Sequence, residues 1–266
     1  MSVIRRHPLA AFFVIAFAIS WACWLGMAAA GASVTQGSAW PTHVPGLLGP
    51  ALAAIAVAVA IGGGRALLRR TFLWRVSWRW YAVALTPLAF YAVAAPFAGG
   101  FDLAALGRFS GLPAVAAPVL LAMLLVTAFA EEIGWRGFAL PMLLEKRNLL
   151  GAAGILGVIW AVWHLPLFLV IANYRDLGVA VLPMFFLSII GGSVFLAWLY
   201  RASGGSVLIL AIWHATYDLV SGTAAAHGAV AAFVTTAVMV WASAIVIREL
   251  WLRMHSGSSR TAHSPS

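Results

Sequence analysis

From Pro8 to Ala30 the chain runs without one charged side chain, and apolar runs of that kind recur almost to its end. An α-helix rises 1.5 Å per residue, so about 20 apolar residues cross the roughly 30 Å hydrocarbon core of a bilayer. That length selects about eight runs, at roughly 8–30, 45–63, 80–99, 113–134, 149–171, 178–200, 205–222 and 226–247. Lipid offers a backbone no hydrogen bonds, and a helix satisfies its own. The reading is an all-α membrane protein, a polytopic bundle of about eight transmembrane helices. It fills residues 1–254 as one domain, with a disordered polar tail over 255–266. Composition agrees: 64 % of residues are hydrophobic and only 9 % charged, where a soluble domain carries about 25 % charged.

The first run follows Arg5 and Arg6 and ends in Ala28-Ala29-Ala30, as a secretory signal would. Its apolar core exceeds the roughly 7–15 residues of a signal, which predicts a retained helix. Cys23 has no second cysteine to pair with and reads as packing.

The net charge is +9, and the basic residues sit at the ends of the apolar runs. Let the N-terminus be cytoplasmic and every run cross. Thirteen basic residues then lie inside: Arg5, Arg6, Arg65, Arg69, Arg70, Arg75, Arg79, Lys146, Arg147, Arg201, Arg248, Arg253 and Arg260. Only Arg108 and Arg175 lie outside, with Arg136 set aside as part of a motif. This asymmetry predicts a multi-pass inner-membrane protein with both termini cytoplasmic. It also accounts for the basic charge without nucleic acid. Residues 64–80 alternate arginine with Leu, Phe and Trp, the pattern of an interface segment with snorkelling arginines, or of a lateral gate.

Of seven acidic residues, Glu131, Glu132 and Asp218 fall within or at the edge of apolar runs, as do His164 and His214 among the histidines. Each costs about 2.5–3.5 kcal/mol to insert, so such groups are functional candidates facing the bundle interior. Glu132 and Arg136 are four apart on one helix face and can form an ion pair, while Glu131 points about 100° away. Trp160 shares a face with His164, and Pro166 loosens the helix just beyond. His214 and Asp218 share a face on a third helix.

A carboxylate and an imidazole can hold and deprotonate a water, and a second imidazole can donate to an oxyanion. That describes amide hydrolysis by activated water. Glu131, His164 and His214 could alternatively hold zinc with an open fourth position, although no HExxH is present. Neither a GxSxG serine nor a suitably placed cysteine offers a nucleophile.

At these residues the chain resembles the CPBP family of CAAX prenyl proteases and bacteriocin-processing (Abi-type) enzymes, the type II CAAX prenyl endopeptidases. EExxxR matches Glu131 through Arg136, FxxxH matches Trp160 through His164 with Trp in place of Phe, and the last motif matches His214 and Asp218. Motif order and intervals agree over about 113–222, the expected catalytic core. The resemblance implies an intramembrane endopeptidase cutting a membrane-associated peptide or protein. It implies Glu131 as base, His164 positioning the water, and His214 with Asp218 stabilising the oxyanion. It leaves the metal and any other cofactor undecided. A carboxylate donates to an oxyanion only when protonated, so Asp218 can instead orient His214.

Two other classes stay open on the residues alone. One is a small proton-coupled transporter using Glu131, His164 and Asp218, which would predict an inverted repeat. The other is a non-catalytic immunity or partner-binding membrane protein of the same fold. The arginine-, alanine- and tryptophan-rich composition looks bacterial, so peptide pheromones, leader peptides or membrane-protein segments are the expected substrates. Oligomeric state is open. Glu131 near the inner end of its run predicts a site near mid-membrane that opens to the cytoplasmic half.

Overall fold

In the computed structural model, residues 3–258 are described. They form an all-α membrane bundle. Six helices are long and apolar enough to cross: Pro8–Ala29, Val44–Ile61, Ala117–Leu144, Leu149–Val170, Val179–Ala202 and Gly228–His255. The expected third crossing is a pair, Trp78–Ala84 and Thr86–Ala98, bent by 42°. Pro87 supplies no backbone N–H, so the ladder breaks just ahead of it. The expected seventh run is a shorter apolar helix, Val207–Ser221. The eight runs are therefore six full spans, one broken span and one short helix.

For reference, α1 is Pro8–Ala29, α2 Gly49–Ile61, α3 Gly64–Thr71, α4 Trp78–Ala84 and α5 Thr86–Ala94. Beyond them, α6 is Ala117–Glu132, α7 Leu149–Trp163, α8 Leu182–Ala202, α9 Val207–Ser221 and α10 Gly228–Ser258. α6 does not stop where its acidic pair begins. It passes into a π-helical turn, Ile133–Ala139, and continues through Leu140–Leu144. The apolar count ended this span near 134, because charge and glycine interrupt the pattern there. α10 runs on to Ser258, so the tail expected from His255 starts as helix, and residues 259–266 lie outside the described residues.

The connections separate into two ends. Those at 30–43, 99–116, 171–178 and 222–227 are sewn into one cap. Val34 N–H donates to Val170 O (2.7 Å), Gly37 N–H to Phe109 O (3.0 Å), and Ala224 N–H to Arg108 O (3.0 Å). Gln36 Nε2 donates to Gly222 O at 3.3 Å, and Arg175 to Ser33 Oγ at 2.9 Å. The opposite end carries α3, the 72–77 segment and the 145–148 and 203–206 turns. There Ser206 Oγ donates to Leu73 O at 2.6 Å and Arg70 to Gly137 O at 3.3 Å. Phe72, Trp74 and Trp78 are exposed beside Arg75 and Arg79, whose guanidiniums stack on Trp74 and Trp80 at 4.9 and 4.8 Å. Exposed aromatic rings interleaved with stacked arginines are what an interface segment would require.

Candidate active site

The interior polar groups come together through the chemistry of two broken helices. In α6 the π-turn starts directly after Glu132 and holds Arg136, which is fully buried. Glu132 Oε1 accepts from Arg136 at 2.9 Å, the expected ion pair. The same oxygen meets His214 Nδ1, also at 2.9 Å. Breaking such a buried pair strands a charge, at a cost of about 3–5 kcal/mol. The guanidinium also lies 4.2 Å from the centre of the Trp160 ring, a cation–π contact strengthened by desolvation.

α7 breaks at its end because Pro166 cannot donate. His164 N–H turns to Ala161 O (3.2 Å) and Leu167 N–H to His164 O (2.9 Å). This tightening frees two carbonyls from their usual partners four residues on. Trp160 O binds His164 Nδ1 at 2.7 Å, and Trp163 O accepts from Trp21 Nε1 of α1 at 3.0 Å. A carbonyl can only accept, so Nδ1 of His164 carries a proton, and the neutral form of the ring has its lone pair at Nε2.

Trp160 is the hub. Its Nε1 donates to Glu131 Oε2 at 2.9 Å. The His164 and His214 rings flank it, with centroids 5.4 and 5.6 Å away. Glu131, His164, His214 and Asp218, from three separate helices, line one cavity of about 490 Å³ together with Trp160. Glu132 and Arg136 stand behind that wall rather than on it.

Residues 113–220 match the family described as Type II CAAX prenyl endopeptidase Rce1-like. A curated relative, CAAX prenyl protease 2 of Methanococcus maripaludis, is 32 % identical over 106 residues. That stretch covers 38 % of this chain and 39 % of the relative, so the likeness spans about two-fifths of each. The matched segment is similar to the type II CAAX prenyl endopeptidase family. It nearly coincides with the stretch of about 113–222 over which the sequence resembles the family, and all three motifs fall inside it.

Within this segment, two expectations change. The orienting contact foreseen for Asp218 is made by Glu132. Asp218 Oδ2 stands 3.7 Å from His214 Nε2, beyond hydrogen-bond range, and faces the cavity. The cavity also does not reach the arginine-rich end. Because α6 continues to Leu144, Glu131 sits in mid-helix instead of at an inner terminus, and His164 lies at the far end of α7. The lining accordingly includes Gln36, Ser110, Asn173, Leu177 and Thr223 of the cap, and nothing from 62–77, 145–148 or 203–206. Residues 64–80 therefore do not line this cavity.

His43 was missed. It sits in the loop before Val44, outside every apolar run, and no motif marks it. It nonetheless lines the cavity, 3 % exposed, with Nδ1 sealed from water and unpaired. Burial pushes its imidazole down to about 4, so the ring is neutral at pH 7. Among the described residues no three His, Cys, Asp or Glu side chains are grouped so that they could hold a metal ion. Glu131, His164 and His214, the alternative zinc set, share a cavity without forming a ligand shell.

Proposed function

We propose that this protein is an intramembrane endopeptidase of the CAAX-protease type, hydrolysing a peptide bond of a membrane-associated polypeptide with a water activated by Glu131. One observation carries the reading. Glu131, His164 and His214 project from three helices into one cavity, inside the segment that matches the endopeptidase family.

The hydrogen bonds supply a division of labour. Trp160 holds Glu131 Oε2, leaving Oε1 to take a proton from water. His164 Nε2 has the lone pair to accept that water's second hydrogen bond. The water oxygen attacks the carbonyl carbon, and its proton passes to Glu131 and then to the leaving amine. His214 has Glu132 at Nδ1 and the cavity at Nε2. A carboxylate only accepts, so Nδ1 is a donor, and in the doubly protonated ring Nε2–H can donate to the developing oxyanion. Glu132 and Arg136 fix the tilt of that ring, as buried carboxylates fix the imidazoles they accept from. Asp218, at the same nitrogen, is placed to meet the substrate or its water.

The Methanococcus maripaludis relative is named as a CAAX prenyl protease. The wall of the same cavity includes Leu167, Phe185 and Leu196, which suits an apolar segment beside the cleaved bond. The test uses purified full-length protein in detergent or liposomes with a library of membrane-anchored peptides. Cleavage is expected, and Glu131→Gln should lower it by about 10²–10⁴-fold, the usual worth of a general base. Wild-type protein that cuts none of the peptides, with a cellular phenotype indifferent to Glu131→Gln, would return the chain to the non-catalytic reading.

A further inference from the structure

The two ends of the bundle differ sharply in charge. The end bearing α3 and the 145–148 and 203–206 turns carries Arg65, Arg69, Arg70, Arg75, Arg79, Lys146, Arg147 and Arg201, with Arg5 bonded there to Ala60 O at 2.9 Å. Arg201 also pairs there with Glu249, beside Arg248 and Arg253. The cap carries Arg108 and Arg175 alone among lysines and arginines, with Asp102 and Asp176 beside them. All of these connections are short, the regime in which Lys and Arg stay on the cytoplasmic side.

The cavity takes loop residues only from the arginine-poor end and runs from there into the bundle as far as Leu196 and Trp213. Its rim is built by Gln36, Ser110, Asn173, Leu177, Thr223 and Ala226, drawn from all four cap connections. Asn173 is exposed, and Leu177 is 60 % exposed while lining the cavity, so the lining continues to the outer surface there. Towards the arginine-rich end the bundle is closed by packing. Gly134 lies so close to Pro50 that a Cβ would come within 2.7 Å of its backbone carbonyl. Trp135, Phe138 and Leu140 are buried below it.

We propose that the cavity takes its polypeptide from the extracytoplasmic side. Its substrates are then exported or membrane-anchored chains whose cleavable segment lies at the outer surface, rather than tails presented in the cytosol. The substrate class rests on the peptidase reading. The sidedness rests on charge and cavity position alone.

Cysteine labelling tests the sidedness without any reference to cleavage. Cys23 is the single native cysteine, so Cys23→Ala gives a blank full-length background. Single cysteines are then introduced as Leu177→Cys at the rim, Ala104→Cys elsewhere on the cap, and Arg147→Cys at the opposite end; all three positions are exposed. A membrane-impermeant maleimide is applied to sealed spheroplasts and to lysed ones. Leu177→Cys and Ala104→Cys are expected to react in sealed spheroplasts, and Arg147→Cys only after lysis. The reverse pattern overturns the proposal, as does protection of Leu177→Cys until lysis together with Arg147→Cys. If the labelling comes out as expected while Glu131→Gln is without effect on any activity, the peptidase reading fails and the sidedness stands.

Discussion

Trp160 illustrates how little separates packing from chemistry at a single residue. Its ring covers a buried guanidinium at 4.2 Å, and its N–H holds one oxygen of Glu131 at 2.9 Å. The two contacts separate in Trp160→Phe, which keeps an aromatic face and deletes the donor. Phenylalanine is also the residue in the FxxxH pattern the chain resembles, so the fold should accept it. One hydrogen bond to a charged group is worth about 1.5–3 kcal/mol, and the water left to solvate Glu131 recovers part of that. The expected result is a kcat lowered about 10-fold with KM little changed, read by steady-state kinetics on whichever peptide the wild type cleaves. An unchanged kcat would mean that the bond to Glu131 does not hold the base in its working position.

At the scale of elements, the π-turn of Ile133–Ala139 carries Arg136 of the ion pair, and Gly134 within it permits a close crossing with α2. A Cβ on Gly134 would stand 2.5 Å from Pro50 Cβ and 2.7 Å from its carbonyl carbon and oxygen, atoms of a neighbouring helix that cannot step aside. Gly134→Ala should therefore cost about 1–3 kcal/mol, as overpacking does. Gly154→Ala in α7, where a Cβ meets nothing within 4 Å, should instead stabilise by about 1 kcal/mol through helix propensity. Thermal unfolding in detergent compares the two; equal midpoints would contradict the tight crossing. The turn also marks where the sequence stopped being legible. Glu131, His164, His214 and Asp218 were readable because ionisable groups in apolar runs are few and expensive. The contact between Glu132 and His214 was not, since it joins residues 82 positions apart on two helices whose packing leaves no local signature. Nor was His43, which reaches the cavity from a loop. The place of Glu131 along its helix was misjudged for a related reason: the apolar count ended α6 too early, which set Glu131 near a terminus it does not occupy.

Across the whole molecule, the segment that matches the endopeptidase family does not close its own core. α1 lies outside that segment, yet Phe12, Ala16, Ser20 and Trp24 are all fully buried. Trp24 packs edge-on to Trp163 with ring centres 4.7 Å apart, and Phe12 meets Trp135 at 5.6 Å. Ser20 Oγ donates to Gly46 O at 2.7 Å, and Trp24 Nε1 to His43 O at 2.9 Å, which ties α1 to the loop that carries His43 into the cavity. Trp21 caps the carbonyl that the α7 break sets free. A helix whose tryptophans satisfy the backbone beside the site is part of the fold, so cleavage after Ala30 should not occur. An epitope tag placed before Met1 should remain on the membrane-embedded chain and migrate at full mass in an immunoblot. Removing residues 1–30 should expose Trp163 and Trp135, strip the partners from Trp163 O and Gly46 O, and leave a chain that aggregates on extraction into mild detergent. The retention of α1 would be refuted if the tag were released in cells and the shortened chain eluted as a single sharp species with unchanged thermal stability, because every contact named here would then be dispensable.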